Sequence, residues 1–60
     1  MKRRFHVHYR WNGYDKTAQI TLSDGELTCE ETFIPIVRRL NNDEFGLQTF
    51  IYSWSLIEVE

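Results

Sequence analysis

Polar and apolar residues alternate without a break from Arg4 to Trp11. Phe5, Val7, Tyr9 and Trp11 fall on one side and Arg4, His6, His8 and Arg10 on the other. A period of two is that of a β-strand with one buried face. The pattern runs into Asn12-Gly13, the dipeptide best suited to the paired positive φ angles of a type I′ turn. A hairpin of 2–11 against 14–23 then pairs Trp11 with Tyr14, followed on the same face by Tyr9/Lys16, Val7/Ala18, Phe5/Ile20 and Arg3/Leu22. The opposite face receives Arg10/Asp15, His8/Thr17, His6/Gln19 and Arg4/Thr21. A one-residue slip would scramble this sorting on both strands, so the register is well specified.

Asp24-Gly25 ends the second strand and has two readings. As a second hairpin turn it would set Leu22 against Leu27 and Ile20 against Cys29; as a loop it would lead into a helix. The helical pattern is carried by Cys29, Phe33, Ile36/Val37 and Leu40, with capping-box spacing from Thr28 to Glu31. Arg38 and Arg39 suit the negative end of the helix dipole, and Asn41-Asn42 can end the helix. Pro35 is costly in a helix interior and tolerated in a first turn, so the regular helix is expected over about 32–41.

After Asn41-Asn42-Asp43, residues 47–59 are rich in β-branched and aromatic side chains and read as one long strand. Its alternation changes phase: Phe50, Tyr52, Trp54 and Leu56 are even, Ile57 and Val59 odd. A β-bulge near Leu56-Ile57 would bring both sets to the core; without one, an apolar set must point away from the helix. Strand, strand, helix, strand predicts a small α+β domain, a β-β-α-β layer filling residues 1–60. Its three-stranded, largely antiparallel sheet has order 2-1-3, with one helix on one face.

Element lengths then identify surfaces. Ten strand residues span about 33 Å and a ten-residue helix about 15 Å, so one helix cannot roof the whole apolar face. If it covers Phe5, Val7, Ile20 and Leu22, the hairpin end with Tyr9, Trp11 and Tyr14 is left bare, unless the C-terminal aromatics, Trp54 among them, fold over it. Exposed aromatic clusters commonly mark interfaces. The polar face, with Arg4, His6, His8 and Arg10, is a second candidate. Its plainer reading is the solvated side of an antiparallel sheet.

Composition narrows the function. A domain of sixty residues buries only about 60% of its unfolded surface and commonly needs a staple or self-association. Cys29 is the sole cysteine, which excludes an internal disulfide and fits a reducing, cytoplasmic setting. Nine aromatic residues favour packing and self-association instead. The net charge of −2 gives no general attraction to nucleic acid or anionic membrane. No segment reaches the ~18 apolar residues of a membrane span. His6 and His8 share a face, yet lack the further ligands that a zinc site requires. No nucleophile, base and acid fall together, and no glycine-rich phosphate loop occurs. The expectation is therefore a non-enzymatic protein-interaction or regulatory domain without metal or cofactor, associating with a protein partner or with itself as a homodimer. Tyr9, Trp11, Tyr14 and Trp54, or Arg4, His6, His8 and Arg10, would carry the contact. The alternative is a small nucleic-acid-binding regulator using the basic strand face. It is weakened because aromatic and basic residues of the first strand lie on opposite faces.

Overall fold

The computed structural model describes all sixty residues. They form β1 (Arg3–Trp11), β2 (Tyr14–Leu22), α1 (Glu30–Leu40) and β3 (Thr49–Val59). The sheet order is β2-β1-β3 with both pairings antiparallel, so β1 is central and β2 and β3 are edges.

The hairpin follows from its turn. Asn12 (φ 51°) and Gly13 (φ 83°) both adopt positive φ, the type I′ geometry whose twist matches that of the strands. The register is the expected one, from Trp11 opposite Tyr14 to Arg3 opposite Leu22. At the far end the chain turns at Asp24-Gly25 and takes the loop route into the helix, not a second hairpin. Arg3 holds that loop. Its guanidinium donates to Thr28 Oγ1 (3.0 Å) and to the carbonyls of Ser23 (3.2 Å) and Glu26 (2.6 Å). Glu26 in turn accepts from the Ser23 amide and hydroxyl, and those bonds, with the nearby Arg3 charge, hold its carboxyl below the usual range.

Helix α1 begins two residues earlier than the proline suggested. Cys29 is the N-cap, its carbonyl accepting from the Thr32 and Phe33 amides, and no side chain caps the end. The Thr28–Glu31 capping box does not form. Pro35 therefore lies beyond the first turn, on the exposed side. Burial of Phe33 and Val37 one helical turn apart compensates for the bond that the proline cannot make. At the other end Asn42 takes φ 53°. The Asp43 amide then reaches the Arg38 carbonyl (2.9 Å) and the Asn42 amide the Arg39 carbonyl (3.2 Å). This is a Schellman stop with asparagine in the position that glycine usually fills.

One cluster forms the core: Phe5, Val7 and Tyr9 from β1, Ile20 and Leu22 from β2, Phe33 and Val37 from α1, and Ile51 from β3. Phe33 is its centre, edge-on to Phe5 (centroids 5.7 Å) and tilted against Trp54 (5.3 Å). Leu40, expected in the buried stripe, is exposed, because the helix ends over the hairpin tip where Asn41 turns inward instead.

Strand β3 carries the expected bulge and a second one. Arg4 faces Glu58 and Phe5 faces Leu56, so Ile57 is supernumerary; His8 faces Ser53 and Tyr9 faces Ile51, so Tyr52 is also supernumerary. The second bulge corrects the phase expected for the first half of the strand. Ile51 enters the core beside Tyr9, while Phe50 and Tyr52 turn to the Arg/His face. Trp54, Leu56 and Val59 stay on the helix side, opposite Val7, Phe5 and Arg3. No helix of the molecule is long and apolar enough to cross a membrane.

Candidate functional site

The hairpin tip is closed. Tyr9 is buried, and its hydroxyl accepts from Asn41 Nδ2 (3.1 Å), which also donates to the Val37 carbonyl (2.8 Å). Trp11 is half-buried and donates its indole N–H to Asp43 Oδ2 (3.2 Å). Lys16 lies over the Trp11 ring at 5.2 Å and donates to Asn41 Oδ1 (2.8 Å). What covers this end is the stop of α1 and the turn at Asp43, neither of which a comparison of strand and helix lengths takes into account. Tyr9 is thus a core residue and Trp11 an anchored one. Of the three aromatics expected to be bare, Tyr14 alone is freely exposed.

Asp43 organises that closure. Its side chain is shut off from solvent. Oδ1 accepts from the amides of Phe45 and Gly46 (both 3.0 Å), and Oδ2 from the Leu47 amide (2.8 Å) and Trp11. Arg38 Nε stands 3.8 Å away. Burial alone would raise the Asp43 pKa; the bonds from Trp11, Phe45, Leu47 and Gly46 outweigh it and hold the group below the ordinary aspartate value.

The basic row is electrically compensated. Arg4 pairs with Glu58 across β1 and β3, and Arg10 pairs with Asp15 through Nε (3.1 Å) and Nη2 (3.5 Å). The hydrogen bond from Arg10 is the main cause that lowers the Asp15 pKa, and the same bond raises that of Arg10. His6 and His8 are exposed. Tyr52 lies beside His8 (5.1 Å) and Phe50 (5.4 Å), with Arg10 5.7 Å from its ring centre. Arg10, Gly13, Gln48, Phe50 and Tyr52 line an open groove of about 390 Å³. No three side chains among His, Cys, Asp and Glu gather closely enough to hold a metal ion.

The third surface is the β3 edge. Phe50, Tyr52, Trp54, Leu56, Ile57 and Val59 are 38 to 58% exposed, and no charged residue occurs between Thr49 and Ile57. The β2 edge, by contrast, carries Asp15 and Lys16. Charges and prolines are the usual means of keeping an edge from pairing with another chain, and β3 has neither along that stretch. Of its residues only Trp54 belongs to the expected contact set. The remainder were legible from a strand order that makes 47–59 an edge, combined with the run TFIYSWSLI, which has no guarding charge.

The geometry defines a small α+β layer: a three-stranded antiparallel sheet, one face roofed by a helix, one edge free of charged side chains from Thr49 to Ile57. Comparisons with family models, with the sequences of curated proteins and with solved structures find no match to this chain.

Proposed function

We propose that this protein is a non-enzymatic interaction domain that binds another protein along β3. The observation that carries this reading is the contrast between its two edges, one carrying Asp15 and Lys16 and the other uncharged over nine consecutive residues. A strand added to β3 would satisfy its free backbone groups and cover Trp54, Leu56 and Val59 on the helix side, the mode known as β-augmentation. Catalysis fits less well. The Cys29 thiol lies 3.4 Å from the Thr32 hydroxyl on the face opposite His6 and His8, so thiol and imidazole do not meet.

The test is photo-crosslinking. A benzoylphenylalanine at Leu56 is expected to yield a protein adduct in a cell extract, whereas the same group at Gln19, exposed on the polar face, yields none. Equal labelling from both positions, or none from Leu56, would remove the assignment.

A second reading rests on Phe50 and Tyr52, which the extra bulge brings beside Arg10 and His8. Aromatic rings among cations are the means by which sheets bind single-stranded nucleic acid. The pairing of Arg4 and Arg10 with carboxylates reduces the charge available for phosphates, so the protein-binding reading is favoured. If the second holds, oligonucleotide binding followed by anisotropy will fall steeply with salt and disappear in Tyr52→Ala. If the first holds, the anisotropy will stay flat.

A further inference from the structure

We infer that the protein docked on β3 is a second copy of this chain, paired antiparallel about a two-fold axis at Ser55. The inference rests on the β3 reading and specifies its partner. It comes from where the two bulges fall. Lys2 and Glu60 exchange both backbone hydrogen bonds (3.1 and 2.7 Å), and the Asn12 amide donates to the Gln48 carbonyl (2.9 Å). Even-numbered residues of β1 therefore bond β3. The β3 residues opposite odd-numbered ones, namely Thr49, Ile51, Trp54, Leu56 and Val59, turn their backbone groups outward.

Without bulges those outward positions would recur every second residue, and a partner strand would find many equivalent registers. With them the outward positions Ile51, Trp54, Leu56 and Val59 read the same in both directions about Ser55. Thr49, Ile51, Trp54 and Leu56 do so about the Tyr52-Ser53 bond, but that register sets Thr49 against the partner's Leu56 and leaves Val59 unpaired, whereas the Ser55 register pairs apolar residues throughout. An antiparallel copy centred on Ser55 sets Trp54 against the partner's Leu56 and Ile51 against the partner's Val59, bulge opposite bulge. Centring on Trp54 or Leu56 sets a bulge against regular strand and breaks the ladder. Bulges ordinarily spoil an edge for pairing; a symmetric pair of them spoils it for every strand except one with the same spacing, and this chain is such a strand.

Faces and charges agree with that register. An axis perpendicular to the sheet keeps both helices on one side and gives a six-stranded sheet ordered β2-β1-β3-β3-β1-β2, with an isologous contact. The half-exposed Trp54 and Leu56 of each copy then meet across the axis. At ~3.4 Å per residue, the two Glu58 side chains lie about 20 Å apart, so no like charges oppose. The six exposed apolar side chains of β3 offer on the order of 100 Å² each. That ~600 Å² per copy is the most that pairing can cover, and it falls short of the ~800 Å² per partner of a standard interface, so the backbone ladder carries much of the contact.

The register makes a sharp prediction. Ser55 faces its own counterpart as a non-hydrogen-bonded pair, with Cα atoms about 4.5 Å apart, inside the range that a disulfide spans. Two Ser53 residues would be about 13 Å apart along the strands, which is out of range. In a Cys29→Ser background, Ser55→Cys is expected to oxidise to a covalent dimer while Ser53→Cys stays monomeric. Sedimentation of the unmodified chain should give twice 7.3 kDa on concentration. Leu56→Lys should return it to one chain mass with an unchanged far-UV spectrum. A chain that sediments as a monomer throughout overturns the dimer. A dimer that links through Ser53→Cys but not Ser55→Cys overturns the register centred on Ser55. If the chain is monomeric yet Leu56 photo-crosslinks to a different protein, the self-pairing fails and the β3 reading stands; if neither adduct nor dimer forms, both fail.

Discussion

Phe33→Ala is expected to unfold most of the protein at 25 °C. Only eight residues are buried, and Phe33 is fully enclosed between Phe5 of β1 and Trp54 of β3. It is the one helix residue that touches the central strand and the β3 edge through ring contacts. Truncating a buried phenylalanine costs about 3–5 kcal/mol, and a domain of this size has about 3–5 kcal/mol in total from its core. The loss and the reserve are of the same size. A urea titration followed by far-UV circular dichroism should show a cooperative transition for the parent and little or no folded baseline for the variant. Phe33→Leu keeps most of the apolar volume and should cost under about 1.5 kcal/mol. Leu40→Ala, at a position 55% exposed, should move the midpoint hardly at all. A Phe33→Ala protein as stable as the Leu40→Ala one would mean that α1 does not pack on the sheet as described.

That core was largely legible in the sequence, and the reasons are local. Strict alternation plus Asn12-Gly13 leaves one register for β1 and β2, because a one-residue slip would scramble the faces and a two-residue slip would move the turn off the two residues that best take positive φ. The order 2-1-3 follows from one crossover. The helix start was less legible: Pro35 argues for a later onset, and only the packing of Phe33 and Val37 against the sheet outweighs it. The phase of β3 was half legible. Leu56-Ile57-Glu58-Val59 announces its bulge by a change of parity, whereas Phe50-Ile51-Tyr52 is apolar at every position. Nothing in three consecutive apolar residues says which one turns inward; the space beside Tyr9, which Ile51 fills, decides it.

The candidate surfaces diverged for the same physical reason. The hairpin register already set Arg10 against Asp15, but the partner of Arg4 depends on the pairing of β3, which the hairpin alone does not fix. Their partners Glu58 and Asp15 come from β3 and β2, directly opposite them in the register, and exposed pairs of this kind contribute little to stability while cancelling the field that would attract phosphate. The hairpin tip looked open because Asn41 to Asp43 read as a mere helix stop. It is also the lid. The edge of β3 is the surface that stays open, since its apolar residues other than Ile51 are only partly covered by neighbours within the chain.

The lid leads to the second large effect. Asp43→Ala is expected to lower the thermal midpoint by on the order of 10 °C, more than any other substitution outside the apolar core. Its carboxylate serves the amides of Phe45, Gly46 and Leu47 and the indole N–H of Trp11, so one truncation leaves four donors short of an acceptor. Asp43→Asn should fare little better, because Oδ1 can still serve two amides but an NH₂ group would then face the Leu47 amide and the indole. The same bonds fix the sign of the pH dependence. They hold the Asp43 pKa below the ordinary aspartate value that the unfolded chain would show. The stabilisation is therefore complete above about pH 5 and is lost as pH falls through the lowered folded value. Thermal melts between neutral pH and about pH 3 should show the parent losing stability steeply at the acid end, while Asp43→Ala, already without the contribution, declines less. Asp15 shares the direction of shift but sits in an exposed pair with Arg10, so Asp15→Asn should leave the acid limb almost unchanged. In a Trp54→Phe background the emission of Trp11 separates lid loss from global unfolding: in Asp43→Ala it should shift to the red below the melting transition, because the indole loses its acceptor and its cover while Phe33 still holds the helix on the sheet. A variant that melts like the parent, with unshifted emission, would show that the turn at Asp43 is not what closes the hairpin tip.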